Sequence, residues 1–415
     1  MSASNVVVVQ IGQCGNQVSE IVYDSLWEEI AQLRKLGGNP SLADRLHGTY
    51  FDEADRARAV LIDMEPKVIQ GLLARKRCNQ WRYDAEEKNS LFLQSGSGNS
   101  WMMGYSVLAK GQTSELAAEV IRRAAEACDR VDSFLTVCSG AGGTGSGYGS
   151  YVISEILNDY CGLKHGSACN VIVCPFERGE VSVQNYNTAL SLATAVETGE
   201  LTITFSNSAL EHEVGGKNGG LGAINRKLAR TLVDSLLVPS RLSPAGTLSE
   251  VARHLVCDPD YTVASCCSVP GMAHYEFSSD TWMGLAKELD DRWRGKSATA
   301  FLHACGVGAD KLEDDVTLPF KLKSRYFPHV PHPLKMAISP VARRVPSRSL
   351  SVVATDQKAL QPVAHVVRRC KAALSSGAFI HHYGGYEGEA RIADAVATLN
   401  ATLERSHVTL AREGG

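Results

Sequence analysis

Short apolar runs of strand length alternate with longer amphipathic segments through the first half of the chain. The runs cover residues 6–11, 59–62, 134–137, 170–175 and 201–205, and amphipathic stretches such as 115–130 lie between them. This alternation is typical of a parallel sheet with helices on both faces. It therefore predicts an α/β fold with a doubly wound parallel sheet.

The second half begins with one long amphipathic segment. Ile224, Leu228 and Leu232 recur at helical spacing, which predicts a core helix. Beyond it the alternation weakens, and residues 316–355 hold seven basic residues, six prolines and no acid. We expect a second, smaller domain with long extended loops there, whose basic face is either solvated or turned toward an acidic neighbour. A further helix is expected over residues 387–412.

Composition and charge narrow the classes of function. The 415 residues are 44% hydrophobic, enough to fill a core in each of two domains. The 42 basic and 45 acidic residues nearly balance, so the overall charge predicts neither a nucleic-acid partner nor an anionic membrane surface. No apolar run approaches the length of a membrane span, and we expect no membrane insertion. The twelve cysteines, with no CxxC motif, indicate reduced thiols and a cytosolic protein.

A glycine-rich stretch follows the third apolar run. CSGAGGTGSGYGSY, residues 138–151, contains six glycines and comes directly before a helical pattern. At the carboxyl edge of a parallel sheet, such a loop can surround phosphate oxygens with backbone N–H groups that larger side chains would shield. We therefore expect phosphate binding. The alternative is a tight turn with close helix packing, for which one or two glycines suffice.

Two common phosphate motifs do not fit this stretch. A Walker loop requires GxxxxGK[ST], and the chain's one GKS, which begins at Gly295, has Asp290 where the first glycine belongs. The dinucleotide fingerprint GxGxxG would begin at Gly145, but Ser150 stands at its last glycine and the stretch lies far from the first strand. A nicotinamide-dependent oxidoreductase is therefore disfavoured. The motif that remains as the candidate phosphate loop is GGTGSG, residues 142–147.

The loop GGTGSG is similar to the signature loop of tubulins, and QIGQCGNQ, residues 10–17, resembles their first nucleotide loop. Further similar segments follow in the tubulin order: DMEP at 63–66, SGSGNSW at 95–101, QNYN at 184–187, SNSA at 206–209 and AIN ending at Asn225. AFIHHY at 378–383 adds a looser match in the last third. By these motifs the chain is identified as a member of the tubulin superfamily, most similar to the delta branch, with the zeta branch second.

The resemblance implies an architecture and two cofactors. It implies a GTP-binding domain over residues 1–222, a central core helix over 223–240, an intermediate α+β domain over 241–370 and a C-terminal helical segment over 371–415. The cofactors that it implies are GTP and Mg²⁺. Its nucleotide contacts fall on Gln13, Cys14, Asn99, Ser139, Gly143, Thr144, Gly145, Gln184, Asn207 and Asn225.

The residue types suit these roles. Asp63 and Glu65 end an apolar strand and carry the hard oxygen ligands that Mg²⁺ prefers, so they are the predicted metal ligands. An amide presents an acceptor and donors in one plane, which suits Asn207 and Asn225 to a guanine edge and Asn99 to a γ-phosphate. Taken singly, the same residues are typical of turns, caps and helix starts.

Two positions depart from the family pattern. Gln184 stands where many tubulins carry a ribose-binding glutamate, and Leu221 stands where an aromatic ring usually stacks on the base. An aromatic stack adds about 0.5–1.5 kcal/mol beyond area burial, so its loss weakens binding by up to about tenfold. The sequence therefore predicts phosphate binding more strongly than guanine specificity.

Glu250 has two interpretations. The segment TLSEVARHLV, residues 247–256, resembles the tubulin element whose glutamate polarises the attacking water in the site of the neighbouring subunit. The same Glu250 also completes a capping box with Thr247, in which it would bond the cap's own N–H. A GTPase active only when assembled and a non-hydrolysing GTP-binding module that caps or joins microtubules both remain open.

The resemblance also implies partners and a location. Other tubulins or microtubules are the expected partners, and similarity to the delta branch implies centrioles or basal bodies within the cytoskeleton. The sequence ends in SHVTLAREGG, without a glutamate-rich tail, so proteins that bind such tails are not expected to bind this chain.

Overall fold

Strands and helices alternate along most of the chain. The computed structural model describes residues 4–35, 39–75, 80–84, 88–94, 96–108, 112–162, 166–179, 181–242, 246–270, 281–340, 348–384 and 386–406. The strands in these ranges are β1 Asn5–Ile11, β2 Ala59–Asp63, β3 Ser90–Phe92, β4 Val131–Ser139, β5 Ser167–Cys174, β6 Leu201–Ser206, β7 Val263–Val269, β8 Ser297–Gly306, β9 Leu334–Ser339 and β10 Arg348–Asp356. The helices are α1 Gly12–Lys35, α2 Pro40–Tyr50, α3 Pro66–Ala74, α4 Trp101–Leu108, α5 Gln112–Glu126, α6 Gly149–Tyr151, α7 Asn158–Gly162, α8 Gln184–Glu197, α9 Asn207–Glu213, α10 Gly220–Leu232, α11 Leu248–Leu255, α12 Trp282–Arg292, α13 Asp314–Lys321, α14 Gln361–Ser375 and α15 Tyr386–Arg405.

The strands form one sheet in the order β3-β2-β1-β4-β5-β6-β7-β10-β8-β9. The pairs from β3 to β7 are all parallel. Strand β10 then runs antiparallel to both β7 and β8, and β8 pairs with β9 in parallel. The predicted doubly wound α/β sheet is confirmed, and each of the five predicted apolar runs overlaps a parallel strand.

Helices cover both faces of the parallel strands. Val6 and Val8 of β1 face a core shared with α1, α2, α10 and α11. Val7 and Val9, which point to the opposite face, contact a second core shared with α5, α8, α14 and α15. A smaller core lies between α12, α13 and strands β7, β8 and β10. Burial on both faces explains why the parallel strands are continuous apolar runs.

The predicted core helix is present but changes its winding. Helix α10 ends at Leu232, a π-helical turn covers Val233–Leu237, and a 3₁₀ turn covers Pro239–Arg241. Two more π-helical segments flank α6: Thr144–Tyr148, which begins within the glycine-rich stretch, and Val152–Leu157. Turns of this π-helical kind are rare in proteins as a whole, but those that occur are often found at functional sites. The proposed domain boundaries at residues 222, 240 and 370 remain predictions.

The proline-rich region 316–355 differs from the expectation of long extended loops. It contains most of α13, all of β9 and most of β10. Strand β10 is central, because Leu350 pairs with Val269 of β7 on one side and with Ala304 of β8 on the other. Its apolar run LSVVA is therefore buried.

No helix within the described ranges has the length and apolar character needed to cross a bilayer. The cysteines of these ranges are all free thiols. The predicted helix over 387–412 is observed to Arg405, and the tail residues 407–415 lie outside the described residues.

Candidate functional site

Five neighbouring strands end at the same edge of the sheet. Parallel pairing sets Ile11 of β1 beside Ile62 of β2, Ser139 of β4 beside Val173 of β5, and Cys174 of β5 beside Ser206 of β6. Ligands of open α/β sheets bind at this carboxyl edge, in the crevice that the following loops form. The loops after β1, β2, β4, β5 and β6 hold most of the predicted site residues.

The first nucleotide loop contacts the signature loop. Gly12 has a φ of +72°, and a Cβ there would lie 2.9 Å from the backbone nitrogen of Gly145. Gln13 is exposed at the start of α1, whereas Cys14 is half buried. Burial raises the pKa of the Cys14 thiol to about 12, so the thiol stays neutral and acts as a small packing group. The start of α1, with its free N–H groups, thus lies against the signature loop.

Close packing accounts for more of the glycines than the sequence suggested. A Cβ on Gly143 would overlap Ser97, one on Gly147 would overlap the carbonyl of Trp101, and one on Gly145 would lie 2.8 Å from the carbonyl of Ser139. Gly142, in contrast, has open space where its Cβ would be. Three of the six glycines are therefore required by neighbouring protein atoms, and Gly142 is the one whose missing side chain leaves room for a ligand.

Asp63 lies buried at the end of β2 with one oxygen unused. Its Oδ1 accepts a hydrogen bond from the N–H of Met64 at 2.8 Å, and its Oδ2 has no partner among the described residues. Burial, with a smaller contribution from the charge of Glu65, raises the pKa of this carboxyl to about 6. Glu65 is exposed and would lie 3.9 Å from a Cβ on Gly96. A buried, unsatisfied carboxylate oxygen at the site fits a hard cation such as Mg²⁺, which is usually held by one or two carboxylates together with phosphate oxygens.

The turn after β3 contacts the signature loop through its serine. Ser97 Oγ lies 3.3 Å from Thr144 Oγ1. Asn99 is exposed and has a φ of +54°, a conformation that asparagine tolerates better than most residues. The same turn reaches back to β2, where the N–H of Gly96 contacts the carbonyl of Met64 at 3.4 Å. Asn99, Thr144 and the metal-ligand candidates therefore occupy one continuous cluster of loops.

Asn187 holds this cluster together and was not assigned a role from the sequence. Its Oδ1 accepts from the N–H of Trp101 at 2.9 Å and from the hydroxyl of Tyr383 at 2.6 Å. Its Nδ2 donates to the carbonyls of Asn99 at 2.8 Å and Ala141 at 2.7 Å. All four hydrogen-bonding positions of the amide are used, which fixes its orientation. The sequence signal was the QNYN motif, but only the fold shows that its last residue joins both loops.

The residues predicted for ribose and base lie on three helices, α8, α9 and α10. Gln184 is 5% exposed, and its amide donates to the carbonyl of Phe176 at 2.8 Å, within the loop that follows β5. That loop also contacts α9, because Ser208 Oγ accepts from the N–H of Glu177 at 2.9 Å. Asn207 begins α9 and Asn225 lies on α10, and both are half buried.

Leu221, which stands at the position predicted to face the base, lies on the first turn of α10. Its side chain is 62% exposed, which leaves an uncovered apolar surface near the predicted base position. Ser139, at the end of β4, accepts from the N–H of Ala141 at 3.2 Å and so shapes the start of the signature loop.

Glu250 lies apart from all of these residues. The helix α11 is fixed beneath the amino end of β4, because Ser249 Oγ donates to the Asp132 carboxylate at 2.7 Å. Asp132 and Ser139 are seven residues apart on one strand, a distance of about 23 Å at the usual rise per residue. Glu250 is therefore at the opposite edge of the sheet from the phosphate loops.

The capping interpretation of Glu250 holds only in part. Thr247 Oγ1 accepts from the N–H of Glu250 at 3.2 Å, which is the first half of the capping box. Among the described residues the half-buried Glu250 carboxylate forms no hydrogen bond, so the return half is absent. The cap is provided by Thr247, and the carboxylate is available for another partner.

Comparisons with known proteins agree with the motifs and with the fold. The model of the Tubulin/FtsZ family, GTPase domain, matches residues 5–215, which is 211 of the 415 residues. The tubulin delta chains of Homo sapiens and Macaca fascicularis are 33% and 34% identical over 310 residues, 69% of this chain and 66% of theirs. This chain thus spans just under two thirds of the length of those relatives. The tubulin beta-1 chain of Chondrus crispus is 26% identical over 437 residues, 95% of this chain and 92% of its own. The protein predicted from its motifs to be tubulin-like therefore belongs to the Tubulin/FtsZ family.

Proposed function

We propose that the carboxyl edge of the sheet binds GTP together with Mg²⁺. The signature loop and the start of α1 would surround the phosphates, and Asp63 with Glu65 would hold the metal. Asn99 would contact the γ-phosphate, and Asn207 and Asn225 would read the base. The proposal is supported by the contact between the two phosphate loops and by the unsatisfied Oδ2 of Asp63.

We further propose that hydrolysis requires Glu250 of a neighbouring subunit. The observation that carries this proposal is the placement of α11, which the Ser249–Asp132 hydrogen bond fixes at the amino edge. A carboxylate at the amino end of β4, with about 23 Å of strand between that end and the signature loop, cannot act on its own nucleotide. A head-to-tail contact, in contrast, apposes the amino edge of one subunit to the carboxyl edge of the next, as in open filaments.

The test compares two variants on the same helix start. Glu250→Gln keeps the backbone N–H that Thr247 caps, so we expect an unchanged melting temperature and a roughly 10²–10⁴-fold fall in GTP turnover in the assembled state. Thr247→Ala removes the cap and is expected to cost about 1 kcal/mol of unfolding free energy while leaving turnover per assembled subunit intact. Turnover is measured as phosphate release against protein concentration, with sedimentation reporting assembly.

Two outcomes would contradict the proposal that Glu250 of a neighbouring subunit takes part in hydrolysis. Normal assembly-dependent turnover in the Glu250→Gln variant would remove Glu250 from the reaction. A wild-type protein that purifies with GTP, and retains it under every assembly condition, would instead be a non-hydrolysing module that caps or joins microtubules.

The proposed setting is a microtubule structure, with other tubulins as partners. Support comes from the similarity to tubulin delta and beta chains, and the delta-like motifs favour centrioles or basal bodies. A fluorescently tagged chain should then coincide with a centriole marker in dividing cells. Uniform labelling along cytoplasmic microtubules, without enrichment at centrioles, would contradict this location.

A further inference from the structure

Strand β7 is central in the sheet but has a half-exposed middle. Ser265, Cys266 and Cys267 are each half buried, although β7 has neighbours on both sides. The central strands β5 and β8 are buried along their whole length. Buried parallel strands normally carry Val, Ile or Leu. The small side chains of β7 therefore leave a space that these larger residues would fill.

The space opens where two strands diverge. Strands β6 and β7 pair only between Thr202 and Val263 and between Ile203 and Ala264. Beyond these pairs a cavity of about 330 Å³ lies between the strands, α9, α10 and the start of α14. A cavity of about 150 Å³ holds benzene. This one is about twice as large and is within the range of small-molecule sites.

The lining of the cavity combines apolar walls with unused polar groups. Phe176, Phe205 and Val366 contribute apolar surface. Thr231 is 4% exposed and lines the cavity, and its Oγ1 has no hydrogen-bond partner among the described residues. Lys358 also lines the cavity, and within those residues its ammonium group donates one hydrogen bond, to the carbonyl of Arg292 at 3.2 Å.

One cation at this cavity has no ion pair within the described residues, although the lining as a whole is balanced, with two lysines and two glutamates. Lys227 pairs with Glu213 at 3.3 Å, and Arg292 approaches the same carboxylate at 3.7 Å and pairs with Glu288 at 2.9 Å. Lys358, in contrast, forms no ion pair within the described residues. An unpaired ammonium group in the lining favours an anionic group in the ligand.

From these observations we propose that the cavity between β6 and β7 binds a two-ring aromatic carboxylate. The rings would contact Phe176, Phe205 and Val366, and the carboxylate would accept from Lys358 and from the unpartnered hydroxyl of Thr231. None of the residues proposed to contact GTP lines this cavity, but the two sites adjoin, because Ser206 and Ser208 of the lining flank Asn207.

The test uses 2-naphthoate, titrated calorimetrically with and without saturating GTP and Mg²⁺. We expect binding to the wild-type protein under both conditions and at least about tenfold weaker binding to Lys358→Gln, because a charge-assisted hydrogen bond is lost. The matched control is Lys287→Gln, an exposed lysine outside the cavity, which should bind as the wild type does. The neutral amide, 2-naphthamide, should bind the wild type about tenfold more weakly than the acid does.

A second measurement does not depend on these variants. Bound 2-naphthoate should slow the alkylation of Cys267 by N-ethylmaleimide and leave the exposed Cys257 unaffected. The proposal is overturned if 2-naphthoate does not bind, if it binds Lys358→Gln as tightly as the wild type, or if GTP displaces it. Displacement by GTP would show that the ligand had entered the nucleotide site, whereas naphthoate binding without any GTP binding would contradict only the nucleotide assignment.

Discussion

Single polar residues decide how the candidate nucleotide site is held. Asn187 is completely buried, and its side-chain amide forms four hydrogen bonds, to groups from three segments of the chain. Two of them, the carbonyls of Asn99 and Ala141, belong to the loops that would contact the γ-phosphate and the other phosphates. The third segment, through Tyr383, leads directly into α15. The positions of both loops therefore depend on an amide that does not itself face the ligand.

Asn187→Asp tests this dependence with almost no change in shape. An aspartate cannot donate to the Asn99 and Ala141 carbonyls, so we expect a loss of about 2–4 kcal/mol in unfolding free energy. Affinity for GTP should fall more than affinity for GDP, because the turn that carries Asn99 loses its anchor. The control is Tyr383→Phe, which removes the hydroxyl that donates to Asn187 at 2.6 Å and to the carbonyl of Val183 at 3.4 Å, costs about 1 kcal/mol and leaves both loop contacts in place. An unchanged ratio of GTP to GDP affinity in Asn187→Asp, measured by nucleotide titration, would contradict this role.

Asp63 gives the site a pH dependence whose sign follows from its burial. Its pKa is raised from an ordinary value of 3.8 to about 6, so between these two pH values the folded protein keeps a proton that the unfolded chain releases. Stability is therefore lost as the pH rises through this window. By pH 7 the penalty for the ionised carboxylate is about 3 kcal/mol at most.

Asp63→Asn should consequently stabilise the protein in the absence of nucleotide and Mg²⁺. We expect a gain of about 1–3 kcal/mol in unfolding free energy at pH 7, and a much smaller gain near pH 4, where the wild-type carboxyl is protonated. Chemical denaturation at both pH values measures the difference. The same variant should lose the Mg²⁺-dependent part of its GTP affinity. Asp356→Asn is the control, because the pKa of Asp356 is also raised to about 6 by burial, but at a position away from the proposed metal.

At the scale of elements, the loop-helix unit after β4 is built on close backbone contacts. Gly143 packs on Ser97, and Gly147 packs on the carbonyl of Trp101 at the start of α4. The second part of the signature loop is itself a π-helical turn, Thr144–Tyr148, which leads into α6. Side chains in this unit would separate α4 from the signature loop. The main role of its glycines is therefore to let the loop pack closely, and leaving room for a ligand is secondary.

Two alanine substitutions separate these roles. Gly147→Ala should destabilise the fold by about 1–3 kcal/mol, because the new methyl group overlaps backbone atoms of Trp101 and Tyr105. Gly142→Ala should leave the melting temperature of the nucleotide-free protein nearly unchanged, since its Cβ enters open space. Its effect should appear in GTP affinity, where the methyl group competes with phosphate oxygens. Equal loss of stability in both variants would show that packing, and not ligand access, explains Gly142.

At the scale of the whole molecule, the sequence predicted correctly those features that depend on residues close together along the chain. Strands β1, β2, β4, β5 and β6 contain the five predicted apolar runs, and the motifs that follow them could be assigned to one sheet edge. Strand β10 was missed because its partners, β7 and β8, are distant in sequence and the surrounding prolines obscured a short buried run. The role of Asn187 was missed for a similar reason, since its partners lie 46 to 196 residues away. The half-exposed middle of β7 also depends on strand divergence, which no local pattern encodes.

The two edges of the sheet are chemically different, and this difference is the basis of the proposed function. The carboxyl edge carries the phosphate loops and the candidate metal ligands. The amino edge carries Glu250, whose carboxylate is free of hydrogen bonds among the described residues. Under the proposed function neither edge alone would complete the reaction, so a subunit alone should turn over GTP slowly, and turnover should rise with head-to-tail contact.

The most direct test mixes two inactive variants. Glu250→Gln keeps a nucleotide site but supplies no carboxylate, whereas Thr144→Val supplies Glu250 but loses a hydroxyl from the signature loop. Each alone should hydrolyse almost no GTP at assembling concentrations. A one-to-one mixture should recover roughly a quarter of the wild-type rate, the fraction of contacts that pair an intact site with an intact glutamate. Co-sedimentation would establish that both variants enter the assembly, and a mixture no more active than the sum of its parts would contradict hydrolysis in trans.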